Sequence, residues 1–387
     1  MSFWRQIPQP IIGLSPMDGV TDAAFRFITA KHGAPDVMFT EFVNIQSAFY
    51  SPHTLIRDLT YSELERPVVA QIYGRAPELF YKVAHIVGEL GFDGLDINMG
   101  CPARKVAATG CGAALIRAPE LAREIIRAAR RGLADWAAGQ SLADIGIEAG
   151  LIERVKLANR LRGGFAQPSE RRAIPVSVKT RLGYDRNSVE EWIPVLLEEK
   201  PAVISLHGRT LQQGYKGDAD WSAIARAVEI AAGSDTLVIG NGDVQDLADA
   251  IRRARSSGVQ GVLLGRAAQG NPWVFAGKDC LKTAQSTSQA KDSDLPPLTL
   301  FERFRVIAEH CEHYEMHMSN GNFAAVRKHL SWYCKHFRGA AELRSQMVRV
   351  NSTSEVVGYL DEFLSRTEGA PRAFSFFREP LQELAHP

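Results

Sequence analysis

Short apolar runs rich in β-branched residues recur along the chain, separated by segments with helix-like spacing. Eight such runs fall at residues 11–15, 37–40, 68–72, 94–98, 176–180, 203–207, 236–240 and 261–265. Alternation of this kind predicts parallel strands joined by crossover helices, and runs continuous in apolar residues predict strands covered on both faces. Eight units over roughly 270 residues suit a (β/α)8 TIM barrel. Where each apolar run stops, polar or glycine residues take over: Ser15-Pro16-Met17, Thr40-Glu41, Gln71, Asn98, Lys179-Thr180-Arg181, His207-Gly208-Arg209, Asn241-Gly242-Asp243 and Gly265-Arg266. Barrel chemistry sits at the C-terminal ends of the strands, so eight polar endings predict a ligand-lined mouth. Taken singly, each also reads as a satisfied turn residue.

The interval between the fourth and fifth runs is too long for one crossover. It holds a helix at about 119–131 and then residues 132–172, read as a peripheral insertion whose stretch 141–161 is amphipathic and helical. Residues 285–297, rich in Ser, Thr, Asp and Pro, read as a linker. The barrel would therefore occupy residues 1–284, and residues 298–387, with helical periodicity and few strand signals, a small all-helical C-terminal domain.

Composition narrows the function. The chain has 387 residues, 45% hydrophobic and 23% charged, enough to bury a large core. Its formal net charge of +1 gives no global pull toward nucleic acid or membrane, so any RNA affinity must come from local basic patches. No stretch approaches the roughly 18 apolar residues that a membrane span needs, and the opening residues carry no leader-like run, so a cytoplasmic protein is expected. Five cysteines form neither a CxxC pair nor a metal-ligand spacing. His310, Cys311, His313 and Cys334 fit no common ligand pattern, and no metal is expected. Gly110-Cys111-Gly112 is only a fragment of a dinucleotide fingerprint, without its βαβ context.

Four groups of residues carry candidate chemistry. In Asp96-Ile97-Asn98-Met99-Gly100-Cys101-Pro102 a strand ends in a sharp turn that would push the Cys101 thiol into the mouth. A thiol of ordinary pKa, about 8.5, is protonated near neutrality and can serve as a general acid. The nearby Arg104 and Lys105 would instead favour a nucleophilic thiolate, and a buried apolar cysteine is the plain alternative. Lys179 and His207 end adjacent runs and suit a cofactor or intermediate bearing negative charge, although each also reads as an ordinary salt-bridged or hydrogen-bonded residue. The glycines of Gly240-Asn241-Gly242-Asp243 and Gly265, with Arg266 beside them, suit a phosphate between the last two strands. Tight turns explain the glycines but not the arginine. Finally, residues 325–335 interleave basic and aromatic side chains, as an RNA-contacting face does. An amphipathic helix that packs Leu330 and Tyr333 inward has the same pattern.

Together these motifs resemble the bacterial type of FMN-dependent tRNA-dihydrouridine synthases. The resemblance extends over Ser15-Pro16-Met17-Asp18-Gly19-Val20-Thr21-Asp22, Gln71-Ile72-Tyr73-Gly74, the Asp96–Pro102 motif, Val178-Lys179-Thr180-Arg181-Leu182-Gly183, Leu206-His207-Gly208-Arg209-Thr210, Asn241-Gly242-Asp243, Gly265-Arg266 and Arg327-Lys328-His329-Leu330-Ser331-Trp332-Tyr333. It implies an FMN site formed by Ser15, Pro16, Met17, Gln71, Lys179, His207, Asn241, Gly242, Asp243, Gly265 and Arg266. Met17, Gln71, Lys179 and His207 would surround the ring, while Asn241, Gly242, Gly265 and Arg266 would hold the phosphate. Cys101 would be the acid that protonates C5 of a D-loop uridine after flavin delivers hydride to C6, with NADPH as electron donor. Asn98 and Arg181 would hold the uracil, and Arg327, Lys328 and His329 the tRNA. No membrane and no obligate protein partner are implied. The chain departs from the family pattern at Ser15, where alanine is frequent, and in the length of the 132–172 insertion. An FMN-dependent oxidoreductase of small pyrimidines and a non-catalytic tRNA-binding module are the competing readings. The basic and aromatic run after residue 298 speaks against the first, and the joint presence of Cys101, Lys179, His207 and Arg266 against the second.

Overall fold

The computed structural model describes residues 2–163, 171–283, 298–317 and 322–368. Eight parallel strands, β1 (Ile11–Leu14), β2 (Met38–Asn44), β3 (Val68–Tyr73), β4 (Gly94–Met99), β5 (Val176–Arg181), β6 (Val203–His207), β7 (Leu237–Asn241) and β8 (Gly261–Leu264), pair in the order β1-β8-β7-β6-β5-β4-β3-β2. A bridge between Gly13 and Val37, with Leu14 N donating to Val37 O at 3.0 Å, joins the two ends into a barrel. Residues of one parity face its interior, because side chains alternate along a strand. At the N-terminal end the inward layer is apolar: Trp4, Ile11, Phe39, Val69, Val203, Leu237 and Leu263 form one plug. Further along, the same parity brings Gln71, Asp96 and Ser177 together, and beyond them Asn98, Lys179, His207 and Asn241. The polar endings at Ser15, Asn98, Lys179, His207, Asn241 and Gly265 therefore share one rim above a closed floor, with Gln71 a layer beneath.

Helices α1 (Ala23–Gly33), α2 (Pro77–Glu89) and α3 (Pro119–Ala137) cover the barrel beside α4 (Ala149–Leu161). The helices at and within the region read as a peripheral insertion differ from the expected bounds. Helix α3 does not stop near residue 131 but continues through Gly132, where a Cβ would lie 2.4 Å from Tyr81 O, so the missing side chain is what lets α3 press on α2. Leu133, Trp136, Leu142, Ile147, Leu151 and Val155 join the main hydrophobic core from this segment. Only 149–161 of the expected 141–161 helix forms. Ser141 N and Oγ bond Asp144 Oδ2 at 2.8 and 2.7 Å, a local turn that competes with helix. The expected linker at 285–297 lies outside the described residues.

The C-terminal part, through residue 368, is helical: α5 (Leu300–His317), α6 (Arg327–Tyr333), α7 (Ala340–Met347) and α8 (Thr353–Glu368). It shares a core with α1 of the barrel, where Ala24 and Ile28 join Phe304, Ile307, Leu330 and Leu360. Helix α1 is fixed from inside by a buried ion pair, Arg26 Nε to Glu65 Oε2 at 2.6 Å, each side chain 1% exposed. Arg26 Nη1 also donates to Thr21 O at 2.8 Å, which ties the loop after β1 to the same anchor. Removing one partner of a buried pair leaves an uncompensated charge, so Glu65→Ala should cost about 3 kcal/mol or more in urea denaturation. A loss below about 1 kcal/mol would show that the pair does not anchor α1.

Candidate active site

The barrel mouth opens into a cavity of about 1020 Å³. Ser15, Pro16, Met17, Asn98, Cys101, Lys179, Arg181, His207, Asn241, Gly242, Asp243, Gly265 and Arg266 all line it, so nearly all the residues expected at the site converge. Gln71 is the exception: it is fully buried beneath the wall, with its amide engaged on both sides.

Cys101 sits on the turn after β4, and the turn is built by hydrogen bonds that start in the barrel's centre. Ser177 Oγ and Gln71 Nε2 donate to Asp96 at 2.6 and 2.7 Å, Asn98 Nδ2 donates to Gln71 Oε1 at 2.9 Å, and Asn98 Oδ1 accepts from Gly100 N at 3.1 Å and Cys101 N at 2.9 Å. From the other side Arg181 Nε donates to Gly100 O at 2.6 Å. Asn98 and Arg181, expected to hold a uracil, thus spend these groups on shaping the cysteine turn. The thiol is 7% exposed, and burial pushes its pKa above the ordinary value, with Asp18 adding to the shift. Cations that pull it back include Arg181 and Lys179, from β5 across the mouth. The balance keeps a protonated thiol at neutral pH.

Positive charge is concentrated around that thiol. Burial and the neighbouring Arg181 lower Lys179 to about 8, and burial lowers Arg181 to about 10. Lys179 Nζ donates to Asn241 Oδ1 at 3.2 Å. His207 is lowered to about 2 by burial, reinforced by Arg181, Lys179, Arg209 and Arg266, so its imidazole is neutral. Its Nδ1 is buried without a hydrogen-bond partner in the protein. Asp243, expected to touch the cofactor, turns out to be fully engaged with protein. Its carboxylate accepts from Arg209 at 2.9 and 2.5 Å, from Ala219 N at 2.8 Å and from Arg266 at 2.7 Å. It acts as a holder for Arg266, whose guanidinium remains largely exposed on the rim. Gly242, at φ 129°, has backbone that only glycine adopts readily, and a Cβ there would meet Ala219 Cβ at 2.7 Å.

Two residues near the cavity were given no role from the sequence. Arg209, 3% exposed, was visible only as one more polar strand ending, and its partner lies 34 residues away. Tyr215 stands on the 211–217 loop, 71% exposed, with the Arg266 guanidinium 5.7 Å from its ring centre. Nothing in the local pattern marks it.

The expected tRNA-contact trio does not form one exposed face. Arg327 donates to Val350 O at 2.8 Å and Asn351 Oδ1 at 2.6 Å, and Lys328 donates to Gly19 O. His329 is 1% exposed, packed against Phe25 and His310, and offers no surface to a nucleic acid. Among the described residues no group of three His, Cys, Asp or Glu side chains is placed to hold a metal ion, and no helix is long and apolar enough to cross a membrane.

Fold and site together define an α/β barrel with a thiol and a cluster of cations at its mouth. The family model described as Dihydrouridine synthase (Dus) matches residues 13–163 and 166–368, and the chain belongs to that family. It is 34% identical over 367 residues to the "Probable tRNA-dihydrouridine synthase 2" of Bacillus subtilis (strain 168), covering 94% of this chain and 96% of the relative. A "Probable tRNA-dihydrouridine synthase" of Staphylococcus aureus (strain COL) is 32% identical over 368 residues, with 94% and 95% covered. Among solved structures, DHODH from Eimeria tenella in complex with ferulenol aligns with a TM-score of 0.46 at 16% identity, over 74% of this chain and 86% of that one.

Because burial raises the thiol, alkylation of Cys101 by iodoacetamide should stay slow through neutral pH and accelerate with a midpoint above about 8.5. A midpoint near 7 would mean an activated thiolate instead. Asn98→Ala removes the acceptor of two amides and should destabilise the protein by about 1–3 kcal/mol, read from its denaturation midpoint.

Proposed function

We propose that this protein is a tRNA-dihydrouridine synthase that binds FMN in the barrel mouth, takes electrons from NADPH and reduces the C5–C6 bond of a D-loop uridine, with Cys101 as the general acid. The observation that carries this reading is the buried Cys101, fixed on the turn after β4 at the edge of a cavity that Lys179, Arg181 and His207 also line. The residues fit the flavin. The unpartnered His207 Nδ1 is a buried polar atom suited to the ring's polar edge, and Lys179 is a cation suited to the negative charge of its reduced form. Gly242 and Gly265 line the cavity together with Arg266, a combination suited to a phosphate. Met17 lies on the wall beside Gly265 and would flank the ring.

When bound, FMN would supply hydride to C6 of the uracil. Negative charge then develops at C5 and the adjoining carbonyl, and the Cys101 thiol, fixed by Asn98 and Arg181, gives its proton to C5. The thiolate left behind is stabilised by the same Lys179 and Arg181 charges that face it. Asn98 and Arg181 act chiefly by placing Gly100 and Cys101. The target base has to leave its RNA stack to reach such a cavity, so recognition acts on a loop and on tRNA shape, with the helical part beside the barrel as the second contact. A cytoplasmic location follows from that substrate.

Cys101→Ala tests the assignment. Flavin content and NADPH-driven flavin reduction should be native-like, while dihydrouridine formation by the reduced enzyme falls about 10²–10⁴-fold. Native product formation by the variant would remove Cys101 from the mechanism.

A further inference from the structure

The 328–335 segment carries the interleaved basic and aromatic residues of an RNA-binding face, yet Lys328, His329 and Lys335 reach toward the barrel while Leu330 and Tyr333 pack into the helical core. At one end Lys328 Nζ donates to Gly19 O, and His329 Nε2 lies 3.6 Å from Asp22 Oδ2. Gly19 and Asp22 belong to the loop between β1 and α1, whose Met17 and Asp18 line the cavity. At the other end Lys335 Nζ donates to Gln269 O at 2.9 Å. Gln269 lines the cavity too, in the loop after β8 that carries Gly265 and Arg266. Between these ends the backbone of Trp332 presses on Gly270, where a Cβ would lie 2.2 Å from Trp332 O. The segment is held from behind: Arg303 Nη1 donates to Lys335 O at 2.9 Å, Arg344 Nη2 to Cys334 O at 2.9 Å, and Arg327 Nε to Val350 O at 2.8 Å.

We propose that residues 328–335 are a brace by which the helical part fixes the two cavity loops on either side of β1 and β8, and that Lys328 and Lys335 are positioning residues for the cofactor rather than contacts for tRNA. Loops are ordinarily the mobile parts of a barrel, and ordering them at the moment of binding costs affinity. Two ammonium groups that each satisfy a loop carbonyl, anchored on a packed helical core, remove that cost in advance. A single rigid segment touching both loops also couples them, so a change at one is transmitted to the other.

The inference rests on the reading of the cavity as a flavin site, and the test separates the two. In the holoprotein carrying Lys328→Ala and Lys335→Ala, flavin should be lost on dilution about tenfold faster than from the native protein, and amide hydrogen exchange in residues 17–22 and 265–270 should accelerate by a similar factor. Binding of unmodified tRNA should stay within about twofold of native. Lys328→Arg, which keeps a donor in reach of Gly19 O, should restore slow exchange in 17–22. Weakened tRNA binding with flavin retention and loop exchange unchanged would overturn the brace and return the segment to RNA contact. If exchange also accelerates throughout the strands, the single Lys335→Met variant, which keeps most of the apolar stem, decides by the same readings. If the native protein holds no flavin, the cofactor reading fails, and loop exchange alone then tests the brace.

Discussion

Two cations placed side by side on one strand set the character of the site. Lys179 and Arg181 share the inward parity of β5 and therefore project into the same enclosed mouth, where burial lowers the proton affinity of both and Arg181 lowers that of Lys179 further. Burying such charges is costly unless something compensates. Arg181 is compensated by backbone carbonyls of Gly100 and Thr210, and Lys179 by the Asn241 amide and the charge of Asp96, yet the cavity lining holds more cations than carboxylates. That surplus reinforces the neutrality that burial imposes on His207, and it suits an anionic ligand. It also gives Cys101 a second property: the thiol is protonated because it is buried, yet the thiolate it would leave behind is not unsupported.

Much of this was legible in the chain because the governing period is two. A strand buried on both faces reads as an unbroken apolar run, and the point at which the run fails is the rim. Hence the failure of the runs around Asn98, Lys179, His207 and Asn241 marks those residues as sharing one mouth. What the period cannot say is how far along the barrel axis a residue sits. Gln71 shares the inward parity of the rim residues but lies one layer below them, where it supports Asn98 instead of meeting a ligand. The roles of Asp243 and Arg209 were hidden for a different reason, since their pairing joins residues far apart in sequence and turns an apparent ligand contact into a holder for Arg266. Gly132 misled because glycine usually punctuates helices, whereas here it permits the close approach of α3 to α2.

The segment 327–335 shows the limit most plainly. Basic residues alternating with aromatics suit a nucleic-acid face, but long lysine stems also lie along apolar surface while their ammonium groups reach neighbouring carbonyls. Composition cannot separate the two, because both need the same residue types at the same spacing. Partners decide: the carbonyls of Gly19 and Gln269 belong to loops that line the cavity, so the helical part is joined to the catalytic mouth as well as packed against α1.

The most direct test of the account is an electron-transfer measurement on the native protein. Purified protein is reduced with NADPH under anaerobic conditions and mixed either with unmodified tRNA or with free uridine, orotate or uracil, while flavin absorbance and dihydrouridine are followed. The account predicts bound flavin, reoxidised by tRNA with dihydrouridine formed in step, and little response to the free pyrimidines. A protein that holds no flavin, or whose reduced flavin is oxidised by a free pyrimidine and not by tRNA, would contradict it.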